Sequence, residues 1–254
     1  MFQIKILRTQ EEAGSNHGSI VAAHYSTAEH GLGARNESRI VYLRNFNNWI
    51  KGMLISEYLK ELQCSGNRIH ALDMCCGKGG DLLKWRIGGI KHLVCSDIAE
   101  LAVENCKKRY DDMMTRKRDG NKLFSAEFIV CDLTKTRIRG KYEDPSMHFD
   151  IVSCQFAFHY SFESLPQAEC MLRNAAECLK PGGYFIGTIP DANAIVHRYK
   201  QFKKRCFGNS VYSITFDDSL SDDNYPLFGA KYNFNLDGVV DCPEFLVHFP
   251  TLVK

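Results

Sequence analysis

Three aspartates, Asp73, Asp97 and Asp132, each close a short apolar run, and the first leads at once into the turn Cys75-Cys76-Gly77-Lys78-Gly79-Gly80. Carboxylates at strand ends accept hydrogen bonds from hydroxyl, amino and cationic groups. An acidic residue about 20 positions beyond a glycine-rich turn suits a ribose diol. Asp97 stands at about that distance from the turn. Gly77, Gly79 and Gly80 let the backbone approach a ligand where a Cβ would collide. The chemistry implied is the holding of a nucleoside. An aspartate that closes a strand also caps turns and helices, so each alone admits a structural role. Three at the same end of successive strands point to a shared ligand.

Such residues need elements that bring several strand ends together. Ile69 to Met74 is apolar and β-capable, and Leu82, Leu83 and Trp85 resume a helical pattern after the turn. Upstream, Ile40, Leu43, Phe46, Ile50, Leu54 and Tyr58 recur at three- and four-residue spacing and predict a helix over 39–62. The pattern then predicts strand 69–75, helix 80–86, strand 92–97, helix 99–113, strand 126–132, strand 149–156, helix 164–179, strand 183–189 and helix 191–204. Alternation of this kind implies an α/β fold with a doubly wound, mostly parallel sheet, whose ligands lie at the carboxyl ends of the strands. Residues 1–23 lack periodicity and read as a flexible arm. Past residue 208, β-like pieces at 211–216 and 231–236, separated by the acidic turn 217–223, read as an insertion over about 208–240.

Composition narrows the class. With 254 residues, 44% of them hydrophobic, the chain can bury a substantial core within one domain. A formal charge of +2 excludes a bulk nucleic-acid binder, and the densest basic run, Arg116-Lys117-Arg118, reads as a solvated loop. Eleven cysteines without a regular framework indicate a reducing compartment. The Cys75-Cys76 pair lacks zinc-type spacing and no second pair completes it, so no metal is expected. No apolar run approaches the roughly 20 residues of a membrane span.

Two nucleoside cofactors compete for the turn. The NAD fingerprint G-x-G-x-x-G finds its second and third glycines at Gly77 and Gly80, with Cys75 in the first place. The S-adenosylmethionine loop of methyltransferases, an acidic residue followed by alternating glycines, is met by Asp73, Cys75, Gly77 and Gly79. That cofactor has no pyrophosphate, so helix N-terminal amides matter less and carboxylates matter more.

Four segments read together resemble the eukaryotic mRNA cap guanine-N7 methyltransferases: the run Tyr42-Leu43-Arg44-Asn45-Phe46-Asn47-Asn48-Trp49-Ile50-Lys51, the turn from Cys75 to Trp85, the stretch Cys154 to Glu163, and Pro243-Glu244-Phe245-Leu246-Val247. The resemblance covers roughly residues 24–254 and implies a Rossmann-like class I fold with S-adenosyl-L-methionine as cofactor. It places Lys51, Asp73, Cys75, Gly77, Asp97, Asp132, Gln155 and Tyr160 around the cofactor. Asn47, Asn48, Lys78, Lys84, Arg109, His159 and Glu244 fall where the family holds the guanosine cap and its triphosphate. No residue is implied as acid or base; Glu244, His159 and Tyr160 position the reactants. The residue types suit that task, because guanine N7 is already a lone-pair nucleophile and a carboxylate can accept from the N1 and exocyclic amino groups of guanine. The implied partners are the capped 5′ end of mRNA and an activating subunit or the capping machinery, and the implied location is the nucleus. In two places the chain departs from the family pattern. Cys75 stands where the family usually has glycine, and the family's last strands and a further aromatic cap contact fall past Lys254, so C-terminal strands of the sheet are expected to be missing. The rival readings are a shortened inactive cap- or partner-binding chain and a methyltransferase for another substrate.

Overall fold

The computed structural model describes residues 17–27, 38–64, 66, 68–115, 124–202, 204–217, 220 and 225–253. Residues 1–16 of the expected arm, the Arg116-Lys117-Arg118 run and most of the acidic turn 217–223 lie outside them.

Five parallel strands form the central sheet: β1 (His70–Met74), β2 (His92–Asp97), β3 (Ser125–Val130), β4 (Phe149–Gln155) and β5 (Leu179–Thr188). Their spatial order is β3-β2-β1-β4-β5, so the chain reverses direction of travel between β1 and β4. That reversal opens the crevice in which doubly wound sheets bind ligands. The inner strands are buried on both sides, which is why they read as continuous apolar runs. Successive residues serve opposite faces. Leu72, Val94 and Val152 join one core cluster with Ala168, Met171 and Ala175, whereas Ala71, Leu93 and Ile151 join another with Ile55, Leu59 and Trp85.

Helices supply the cover. The helix α1 (His17–Thr27) precedes α2 (Val41–Gln63), α3 (Leu82–Ile87), α4 (Glu100–Thr115), α5 (Leu165–Ala176) and α6 (Ala192–Phe202). Helix α1 takes residues 17–23 out of the expected arm. Its segment, rich in small and polar residues, carries no apolar stripe, and tertiary contacts hold it instead. His17 bonds Glu163 at 2.6 Å and meets the ring of Phe245 edge-on at 5.8 Å.

A second, antiparallel sheet follows in the order β6-β7-β8-β9, with β6 (Cys206–Gly208), β7 (Tyr212–Phe216), β8 (Lys231–Leu236) and β9 (Val240–Phe245). It takes in the expected pieces at 211–216 and 231–236 and runs past the expected limit of the insertion at residue 240. It has a core of its own, in which Phe207, Ile214, Phe216 and Tyr232 pack with Tyr199 of α6. Pro243 lies within β9, at an edge of this sheet, where a missing N–H costs no ladder bond. A short helix, α7 (Phe249–Leu252), follows. No described helix is long and apolar enough to cross a membrane.

Candidate active site

The carboxyl ends of β1, β2 and β4 open into a cavity of about 730 Å³, closed from other sides by α1, α2 and the second sheet. Two residues with left-handed backbone angles leave the sheet there: Cys75 after β1 (φ 56°) and Phe156 after β4 (φ 58°). β1 and β4 are neighbours at the reversal, so the two chains turn away on either side of one crevice. Left-handed angles are costly for side chains, and those of an aromatic residue are a genuine outlier of the kind that collects at binding sites. Phe156 is held in that shape by its N–H, which donates to the carbonyl oxygen and the hydroxyl of Thr188, both at 3.0 Å.

The glycine turn is braced from beneath. Asp97 Oδ2 accepts the Gly77 N–H at 2.8 Å, while Oδ1 accepts the Ala99 N–H at 2.9 Å at the start of α4. Burial raises the Asp97 carboxyl above its usual range, and the two backbone bonds oppose that shift. Asp73 lies under the turn and accepts the indole N–H of the fully buried Trp85 at 3.2 Å. Burial, and then the neighbouring Asp81 carboxylate, push Asp73 well above the ordinary carboxylate value. Asp132 accepts both the N–H (3.0 Å) and the hydroxyl (2.6 Å) of Thr134. All three aspartates border the cavity, so capping and ligand-facing roles coexist in them. Asp132 Oδ1 spends both lone pairs on Thr134, whereas its Oδ2 and both Asp97 oxygens keep lone pairs for a ligand. A Cβ on Gly77 (φ 51°) would meet no atom within 4 Å, which leaves the inner face of the turn open.

The opposite wall comes from the second sheet. Glu244 of β9 pairs directly across the strands with Tyr232 of β8, and its Oε2 accepts the Tyr232 hydroxyl at 2.7 Å. Burial, then the charge and hydrogen bond of Glu244, raise the Tyr232 phenol. Glu244 Oε1 lies 3.3 Å from His159 Nε2. His159 is only 2% exposed, and among the described residues neither of its ring nitrogens completes an aligned hydrogen bond. The 3.3 Å contact is thus an ion-pair distance without hydrogen-bond geometry. The Tyr160 ring lies against the His159 ring, tilted by 37° with centroids 4.3 Å apart. Glu244, His159 and Tyr160 all border the cavity.

Most of the residues singled out by sequence meet in this one space. Asn47, Lys51, Asp73, Cys75, Gly77, Lys78, Asp97, Arg109, Asp132, Gln155, His159, Tyr160 and Glu244 line it. Asn48 and Lys84 do not; they bond each other, and Lys84 also pairs with Asp81. Lys51 shares that aspartate at 2.9 Å. Gln155 is tied at both ends of its amide, to Ser153 and Thr188. His159 and Tyr160 lie past β4, in a 3-10 turn over Phe158–Glu163. The left-handed Phe156 ends the strand, so the alternation of Phe156, Phe158 and Tyr160 is not that of a strand. Sequence reasoning passed over Asp81, Tyr232 and His17, and took Phe156 as a strand residue. Only Tyr232 had a local signal, at an alternate position of a predicted strand.

The mRNA (guanine-N(7))-methyltransferase domain model matches residues 8–254. The chain belongs to that family. A relative from Drosophila melanogaster, described as mRNA cap guanine-N(7) methyltransferase, is 55% identical over 97% of this chain. One of the same description from Caenorhabditis elegans is 45% identical over 93% of it. The chain spans 59% and 62% of the length of these two relatives. The crystal structure of Streptomyces venezuelae DesVI is similar in fold, with a TM-score of 0.50 and 12% identity over 89% of this chain and 88% of that one. Among the described residues, β3 and β5 border the parallel sheet, and the antiparallel sheet stands as a separate addition.

Proposed function

We propose that this protein methylates N7 of the guanosine that caps mRNA, with S-adenosyl-L-methionine as the methyl donor. The observation that carries the reading is the buried Glu244 carboxylate, 6% exposed, facing the same cavity as the glycine turn. A carboxylate opposite a nucleoside-holding turn is matched to the paired N1 and amino donors of guanine; adenine lacks that pattern. The residues present fit the donor. The open face of Gly77 and the carboxylates of Asp97 and Asp132 offer a backbone cradle and two acceptor groups beside one another.

When bound, S-adenosylmethionine supplies an activated methyl on a sulfonium sulfur. The protein's own residues position, and nothing in the site has to remove a proton, since N7 carries a free lone pair. Asp97 orients a ribose through the oxygen lone pairs that Gly77 and Ala99 leave available. Glu244, held by Tyr232, fixes the guanine edge, and its charge stabilises the positive charge that grows on the base. His159 and Tyr160 wall the base from solvent. Arg44, Lys78 and Arg109 bring positive charge to the same cavity and suit a triphosphate. Lys84 and Asn48 act at one remove, by fixing Asp81 beneath Lys51.

The capped 5′ end of mRNA is the proposed partner, with an activating subunit or the capping machinery beside it, and the nucleus is the proposed location. Methyl transfer is measured to capped RNA, uncapped RNA and free guanosine nucleotides, with calorimetry of a cap analogue in parallel. Transfer confined to capped acceptors is expected. Equal transfer to an uncapped acceptor overturns the cap assignment, and binding without turnover in the chain and in a C-terminally extended form overturns the catalytic one.

A further inference from the structure

Three cysteines beneath the glycine turn form a group that sequence spacing does not announce. Cys76 belongs to the turn, Cys95 to β2 and Cys106 to α4, yet their Sγ atoms all lie within 4.8 Å of one another. All three are buried. Among the described residues no other set of His, Cys, Asp or Glu converges in this way. Hydrogen bonds from Cys76 and Cys95, with Arg109 nearby, hold the Cys106 thiol well below its usual value. The bond to Cys106 and burial push Cys76 and Cys95 up.

We propose that Cys76, Cys95 and Cys106 form a trigonal three-sulfur site for a soft, three-coordinate metal ion, Cu(I). Sulfurs each about 2.3 Å from a central ion stand about 4.0 Å apart in a trigonal plane, so small rotations of the side chains from their present spacing complete the site. Thiolate sulfur selects soft ions. Zinc in structural sites asks for four ligands, and no fourth His, Cys, Asp or Glu joins this group among the described residues. Cysteine binds metal as the thiolate, so as Cu(I) enters the three cysteines release their protons to solvent. Arg109 lies near enough to Cys106 to favour its thiolate. Cys76 also borders the large cavity, which provides the route of entry. The site stands independently of the methyl-transfer reading.

The test is an anaerobic titration of the reduced full chain with Cu(I) against a chromophoric Cu(I) chelator. One ion per chain is expected. Cys76→Ser, Cys95→Ser and Cys106→Ser should each lower affinity by about 100-fold or more, beyond what loss of an indirect partner costs. The exposed thiols serve as controls, and Cys64→Ser and Cys206→Ser should leave binding unchanged. X-ray absorption of the loaded wild-type chain needs no variant and should count three sulfurs around the ion. Two or four sulfurs, zinc bound as tightly by the same cysteines, no stoichiometric binding, or loss of binding in Cys75→Ser while the other three retain it would each overturn the proposal.

Discussion

Replacing Glu244 by glutamine separates what its shape does from what its charge does. Oε2 accepts the Tyr232 hydroxyl at 2.7 Å, and Oε1 lies 3.3 Å from His159 Nε2. In Glu244→Gln the remaining amide oxygen can still take the Tyr232 bond. That bond passes from charge-assisted to neutral and loses about 1 kcal/mol. This is a modest part of a domain's stability, so the variant should remain folded. On the cavity side an acceptor becomes an NH₂ donor facing the donor edge of guanine. One charge-assisted bond of about 1.5–3 kcal/mol is lost, roughly 10- to 150-fold. Losing the charge that offsets the growing cation adds to the barrier alone, so the transfer rate should fall about 10- to 1,000-fold and by more than cap affinity does. Affinity for S-adenosylmethionine should scarcely change. The assay is single turnover with capped RNA at saturating cofactor, on a form with measurable activity, extended at the C-terminus where needed. A folded Glu244→Gln variant with the wild-type transfer rate and cap affinity would refute the reasoning and remove β9 from the acceptor site.

Three further outcomes follow from the geometry. Asp97→Ala should weaken S-adenosylmethionine binding by about 1.5–3 kcal/mol in calorimetry and also lower stability in urea, because the Gly77 and Ala99 N–H groups lose their acceptor; an unchanged dissociation constant in a folded variant removes Asp97 from the site. Cys75→Gly should leave the fold intact and raise cofactor affinity. It relieves about 1 kcal/mol at the left-handed angle, which glycine's greater freedom in the unfolded chain largely offsets, and it clears the side chain from the turn. Weaker binding in Cys75→Gly shows the steric argument to be wrong. Asp73→Asn keeps an acceptor for Trp85 but removes a carboxyl whose value is raised in the folded chain, first by burial and then by Asp81. Ionising a raised carboxyl costs stability above its unfolded value of about 3.9. The variant's advantage in thermal unfolding should therefore be largest at neutral pH and shrink as pH falls toward that value; a constant difference from pH 4 to 8 contradicts it.

The parallel sheet was legible because its inner strands are buried on both faces and end at turns with strong local chemistry. β2 runs from His92 to Asp97 as the apolar run predicts, and the glycine turn follows β1 where the backbone needs left-handed angles. Most expected site residues converge because doubly wound topology alone carries strand ends to one edge. What escaped depends on contacts between distant segments. Helix α1 has no apolar period and is held by His17 on Glu163, 146 positions away. The aromatic alternation after β4 imitates a strand, but Thr188 fixes Phe156 in the conformation that ends it. Pro243 marks a turn by local rules, yet at a sheet edge it is tolerated within a strand. The pairing of Lys84 with Asn48 was equally invisible, since nothing in a helical lysine tells whether a ligand or a neighbouring helix will claim it.

The placement of Tyr232 in a core of its own bears on how the protein can change over generations. The turn, Asp97 and Asp132 are fixed by the parallel sheet, whereas the hydroxyl that steadies Glu244 belongs to the second sheet, packed with Ile214 and Phe216. Phe245, the next residue along β9, is already part of the first core. The two halves of the site therefore meet across a single peptide step but draw their stability from different packing. If Glu244 reads the guanine edge as proposed, drift in the second sheet retunes base recognition while the carboxylates on the parallel sheet stay intact. Drift in the first strikes the glycine turn and the carboxylates beside it.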